Sequence, residues 1–177
     1  KEDILSKLQF LKSGNLIFLK KSIIKLTILS NKNVETFSIF KKYPSTLEIE
    51  VKKAKILAKI KIEGIDYLIA SNGELIKKKK IPKSIPQLFG KPNVREFLKL
   101  KKIIDNSKFN YKDIKSLFFY PSKRWDIETL KGTYVKLPKD QVKQSLILLD
   151  RLMKDNNFKN LKIIDLRQNN QLVTNEQ

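Results

Sequence analysis

An α+β chain is what this sequence predicts: a small ααββ unit followed by a β-rich unit with two helices and a C-terminal hairpin. Three observations predict it. Leu47, Ile49 and Val51 alternate with Glu48, Glu50 and Lys52 at strict period two, as a half-buried strand requires. Val142, Leu146, Leu149 and Met153 recur at helical spacing and mark one apolar face. From Ile56 onward, short apolar runs are punctuated by turn residues such as Asn72-Gly73 and Lys131-Gly132, the pattern of successive strands.

The elements follow in order. "DILSKLQFLK" (3–12) predicts a helix with Asp3 as its cap, stopped by Ser13-Gly14, and "KKSIIKLTIL" (20–29) predicts a second. "VETFSIFKKYPSTLEIEVKK" predicts strand, turn and strand, with Pro44 setting the turn. "ILAKIKIEG" places Ile56, Ala58, Ile60 and Ile62 on one strand face. "DYLIASNGELIKK" predicts a hairpin turning at Asn72-Gly73. "IPKSIPQLFG" is expected to be a proline-punctuated loop leading to a helix over about 93–106. "IKSLFFY", "RWDIETL" and "TYVKLP" predict three strands, and "KDQVKQSLILLDRLMKD" predicts a helix. A final hairpin pairs the apolar stretch 161–166 with 172–174 across "RQNNQ". Two domains are expected, 1–56 and 57–177, with the boundary where helix-bearing sequence gives way to strands.

At 177 residues and 41% apolar, the chain can bury a real core. Its formal net charge of +20 first suggests nucleic acid. The distribution argues otherwise. Residues 1–56 carry twelve lysines against five acids and residues 57–177 carry 26 basic residues against 13, so charge follows length. The lysine also accompanies abundant Ile, Asn, Phe and Tyr, the skew of an AT-rich genome. The run "KKKK" (77–80) suits a solvated strand end or anionic lipid headgroups. No apolar stretch approaches the roughly 18 residues of a membrane span.

The chain holds no cysteine and no histidine, which removes thiol nucleophiles, imidazole bases, disulfides and most transition-metal sites. Its five glycines never gather into a phosphate loop. Asp126 and Glu128 share a strand face as any i, i+2 pair does, a spacing expected by chance among 18 acids. Trp125, the single tryptophan, suits core packing better than a ligand platform. No enzyme activity, cofactor or metal is expected.

The terminal hairpin raises a question of its own. Lys162 is the last lysine, so the edge that lysine usually guards is bare. From the residues alone, this is either an uninteresting terminus or an edge that accepts an extended peptide.

Five stretches in register, "FSIFKKYPSTLEIEVKKAK", "DYLIASNGELI", "IPQLFG", "RWDIETLKGTYVKL" and "IIDLR", resemble the extracytoplasmic part of the FtsQ/DivIB family of bacterial division proteins. The resemblance implies that 1–56 is a POTRA-like domain whose opening strand would precede Lys1, and that 57–177 is an FtsQ-type β domain. "KKAK" stands where the family carries Glu-x-x-Pro. The implied function is a non-enzymatic scaffold of the divisome in septal cell-wall assembly. It would face the periplasm from the inner membrane at the septum, anchored by a transmembrane helix upstream of this sequence. Its β domain would bind partners resembling FtsB and FtsL by strand addition over Gln171, Leu172, Val173, Thr174 and Asn175. Arg167 of "DLR" and Lys123-Arg124 would add charge complementarity. Other divisome proteins would dock on the POTRA-like domain, and no nucleic acid is expected. The alternatives are a basic nucleic-acid-binding protein, or a POTRA-type chaperone of outer-membrane protein assembly.

Overall fold

The structure, a computed structural model, describes residues 6–9, 20–77, 82, 84–155, 161–168 and 173–175. The chain forms two compact units, Lys1–Ile56 with Ala70–Ile76, and Leu57–Ile69 with Lys77–Gln177. No helix among the described residues is long and apolar enough to cross a membrane.

In the first unit, α1 (Lys21–Leu29) turns Ile24 and Ile28 wholly inward. They pack with Leu8 and Val34 and with the partly buried Phe37, Ile39, Leu47 and Ile49. Those last four come from β1 (Val34–Lys42) and β2 (Thr46–Lys53), an antiparallel pair in which Ile39 faces Ile49 and Phe37 faces Val51. Period two therefore sets which side chains meet the helix. Val51, beside a register shift between Val34 and Thr36, keeps 41% of its surface exposed. The turn between the strands holds a cis Tyr43-Pro44 bond. Of the helix expected over 3–12, only residues 6–9 are described, and they form a helical turn.

The segment Ala70–Ile76 completes this unit through polar contacts. The Asn72 side-chain amide donates to the carbonyls of Lys32 (3.1 Å) and Val34 (2.8 Å), and its carbonyl accepts from the Glu74 N–H at 3.1 Å. Ser71 Oγ donates to the Glu35 carboxylate and accepts from the Lys55 N–H at 2.9 Å. Gly73 follows at φ 86°, where a Cβ would be strained. Asn72→Ala removes three hydrogen bonds, one to the connection between α1 and β1 and one to the first residue of β1. The variant is expected to lose about 2 kcal/mol in urea unfolding, and an unchanged midpoint would show these bonds to be dispensable.

The other strands are β3 (Ile56–Ile62), β4 (Ile65–Ala70), β5 (Leu75–Lys77), β6 (Gln87–Phe89), β7 (Ile114–Phe119), β8 (Trp125–Thr129), β9 (Tyr134–Lys136), β10 (Ile163–Asp165) and β11 (Val173–Asn175). They form one sheet in the order β11-β10-β9-β8-β7-β6-β3-β4-β5. Lys77 ends β5; the remaining three lysines of the 77–80 run lie outside the described residues.

Within "IPKSIPQLFG", expected to be a loop, β6 pairs in parallel with both β3 and β7. Three residues between Pro86 and Gly90 are too few to show a period, and their hydrogen-bonding partners are remote in sequence. Parallel neighbours need a crossover. The second unit's helices supply two: α2 (Val94–Asp105) carries the chain from β6 to β7, and α3 (Val142–Lys154) from β9 to the parallel β10. Asn93 starts α2 with a capping box, its side chain accepting from the Glu96 N–H (2.8 Å) while Glu96 accepts from the Asn93 N–H (3.0 Å). Phe97, Leu100 and Ile104 on α2, Leu146 and Leu149 on α3, and Leu88, Leu117, Ile127, Val135 and Ile164 on the strands are all buried. Trp125 joins this core beside the Phe119 ring, with centroids 4.7 Å apart.

Candidate functional site

The segment "RWDIET" alternates strictly, so β8 sends Trp125, Ile127 and Thr129 into the core and Asp126 and Glu128 to the other face. Strand register then sets a row of charges. Asp126 lies opposite Lys136 on β9, Lys136 opposite Asp165 on β10, and Asp165 opposite Val173 on β11. Negative, positive and negative side chains thus alternate toward the end of the sheet, with Lys136 Nζ 4.0 Å from Asp165 Oδ2.

Asp126 is only 1% exposed. A carboxylate so buried needs donors, and it has two: Arg124 Nε at 3.2 Å and the Tyr134 hydroxyl at 3.2 Å. The Tyr134 and Tyr120 hydroxyls lie 2.9 Å apart, and the Arg124 guanidinium stacks 4.6 Å from the Tyr120 ring centroid. Burial, then the hydrogen bond with Tyr120 and the negative charge of Asp126, push the Tyr134 hydroxyl pKa up, so it stays a neutral donor.

Arg167 is held the same way two strands further out, by Asp165 of β10. Its Nε donates to both Asp165 oxygens, at 2.8 and 3.0 Å, and its backbone N–H donates to Oδ1 at 3.1 Å. Hydrogen bonding from Arg167 keeps the Asp165 carboxyl below the usual carboxylate range. A folded-state pKa below the unfolded one adds stability at neutral pH, lost as pH falls through the folded value. The thermal midpoint is therefore expected to fall in strong acid with a smaller drop in Asp165→Asn. Arg167 is largely exposed, so the effect is modest. Identical acid profiles for the two proteins would refute this role.

The structure brings Arg124 and Arg167 together: both line one open depression with Pro138, Lys139, Asp140 and Gln141 at the start of α3. Lys123 is placed apart, exposed at the tip of the β7–β8 hairpin in a left-handed conformation (φ 63°), its N–H bonded to the Tyr120 carbonyl at 2.8 Å. Val173, Thr174 and Asn175 form β11, antiparallel to β10 and outermost in the sheet. Gln171 and Leu172 lie outside the described residues.

Sequence reasoning missed the Tyr120–Tyr134–Asp126 network and the contribution of 138–141. By sequence Asp126 and Glu128 are a chance i, i+2 pair, yet one is buried and the other pairs at the surface with Lys115 at 2.6 Å. The available signal was an acid wedged between Trp125 and Ile127. Among the described residues, no group of three or more Asp or Glu side chains gathers to hold a metal ion.

Comparison with known proteins gives three results. The chain is 25% identical over 171 residues to a cell division protein FtsQ of Bradyrhizobium diazoefficiens, covering 90% of this chain and 48% of that protein. The present chain thus spans about half the length of that relative. It also resembles the major extracytoplasmic domain of the trans isomer of the division protein DivIB from Geobacillus stearothermophilus, with 14% identity and a TM-score of 0.41 over 54% of this chain and 87% of that one. The model of the family described as cell division protein FtsQ/DivIB, C-terminal, matches residues 58–167, which include Arg124, Asp126, Asp165 and Arg167. A match over more than half of its length establishes that this chain belongs to the FtsQ/DivIB family of cell division proteins.

Proposed function

We propose that this cell division protein is a non-enzymatic scaffold of the divisome, facing the periplasm, whose β11 edge takes an extended strand from a partner resembling FtsB, assembled with one resembling FtsL. The observation that carries this reading is that β11 is the outermost strand of the sheet, with Arg124 and Arg167 gathered around one depression at the same end. An edge strand offers a row of backbone donors and acceptors, so an added strand gains main-chain hydrogen bonds. The two arginines then select an acidic segment. Arg124 engages Asp126 through Nε, which leaves the terminal donors of its fork for an incoming carboxylate. Lys123 adds charge at the neighbouring hairpin tip, and Gln171 and Leu172 would extend the docking strand. The first unit is proposed to be the POTRA-like domain that holds other divisome proteins, and the anchor in the inner membrane a transmembrane helix upstream.

The test is titration of the chain with a synthetic peptide from the partner's periplasmic tail, at low and high salt, beside a copy ending at Asn170. Saturable binding that survives salt and disappears in the shortened copy is the expected result. Equal binding by both copies, fading with salt, would replace strand addition with plain charge attraction. No binding by either would overturn the docking edge.

A further inference from the structure

The helix α1 is apolar on two faces, and its core uses only one. Ile24 and Ile28 are wholly buried, whereas Ile23, Leu26 and Leu29 are 47%, 71% and 52% exposed. Spaced three residues apart, these three span an arc of about 120° on the side away from Ile24. A surface helix in water ordinarily turns polar residues outward, so an outward arc of Ile and Leu calls for an apolar medium. Ser22 lies within the arc and Thr27 at its edge, and the charged residues near it are of one sign. Lys20, Lys21 and Lys25 are exposed, and the sequence from Lys21 to Leu29, KSIIKLTIL, contains no acid.

We propose that the Ile23–Leu26–Leu29 arc of α1 lies on an anionic phospholipid surface, its leucines and isoleucine entering the headgroup boundary and its lysines meeting lipid phosphates. This arrangement, an apolar stripe bordered by lysines, is the one by which interfacial helices bind membranes. Each lysine near such a surface adds attraction, and its long aliphatic stem lets the ammonium reach the headgroups while the stripe is immersed. Charge decides the occupant. A protein groove accommodating the same leucines would need acids placed to meet the three lysines, whereas an anionic bilayer supplies negative charge wherever they fall. The inference concerns the first unit and does not depend on the β11 edge.

A chain of net charge +20 adsorbs to anionic vesicles by charge alone, so insertion at α1 itself must be measured. The chain has no cysteine, so Ser22→Cys, on the same arc, creates a unique site for an environment-sensitive fluorophore. Ser122→Cys, exposed at the β7–β8 hairpin tip, is the control. Each labelled protein is mixed with vesicles of phosphatidylglycerol and phosphatidylcholine, or of phosphatidylcholine alone, at physiological salt. The expected result is a blue-shifted emission at position 22 with anionic vesicles only, none at 122, and binding about tenfold weaker in Leu26→Ser. Because Leu26 is already exposed, its replacement leaves the core intact, which circular dichroism verifies. In a second variant, Lys21→Ser with Lys25→Ser, binding is expected to weaken and its salt dependence to flatten. Vesicle binding with the position-22 probe still in water, or unchanged affinity in Leu26→Ser, would reduce the contact to diffuse charge and overturn the proposal. Absence of vesicle binding would overturn it too.

Discussion

Gly90→Ala is expected to destabilise the protein by about 3–5 kcal/mol, among the largest effects of any single methyl group in the chain. Two causes combine. Gly90 has φ 92°, a conformation that costs an L-residue about 1–2 kcal/mol. A Cβ there would also stand 2.2 Å from the Phe119 carbonyl oxygen and 3.1 Å from its carbon, so the end of β7 must move. That movement would disturb β6 in the middle of the sheet and the stacked Phe89 and Phe118 rings, whose centroids are 4.9 Å apart. Gly132 is the control. Its φ of 87° imposes the same conformational cost, but a Cβ there meets nothing within 4 Å. Gly132→Ala should therefore lose only about 1 kcal/mol. Urea unfolding of both variants measures the difference, and equal losses would mean that the contact with Phe119 is unimportant.

Asp126→Ala is expected to cost about 3 kcal/mol, whereas Glu128→Ala, two residues along the same strand face, should cost under about 1 kcal/mol. Removing the buried Asp126 carboxylate takes that acceptor from the Tyr134 hydroxyl and Arg124 Nε, both on partly buried side chains. Glu128 bonds chiefly Lys115, whose side chain is 57% exposed and rehydrates at once. Asp126→Asn keeps the shape and one acceptor oxygen and should fall between the two. On the scaffold reading, Asp126→Ala also frees Arg124 from its fixed pose and weakens peptide binding beyond what its stability loss explains. Equal stability losses for Asp126→Ala and Glu128→Ala would mean that burial of the carboxylate adds nothing.

Much of this architecture was written in local pattern. Helical spacing located α1 and α3, period two located β2 and β3, and Asn72-Gly73 and Lys131-Gly132 marked the β4–β5 and β8–β9 turns. These signals survive because each reflects which side of one element meets the core. The strand β6 left no such trace, since three residues carry no period and its partners Lys59 and Ser116 lie far away along the chain. The arginines of the candidate site were visible as motif residues in "KRW" and "DLR". The carboxylates that hold them were not, because an i, i+2 acid pair looks alike whether it is buried or solvated.

Local pattern and composition suffice for the α+β class, the helices and most strands, the absence of thiol and imidazole chemistry, and the family to which the chain belongs. Long-range pairing, in contrast, makes α2 and α3 crossovers of parallel strands, sets β6 inside the sheet, and brings Arg124 and Arg167 to one depression. The place of β6 and the α2 crossover depend on the pairing of β6 with β3 and β7, and the α3 crossover and the shared depression on the register of β8, β9 and β10. Register between strands is chosen by the burial of whole faces at once, and no single stretch of sequence contains that information.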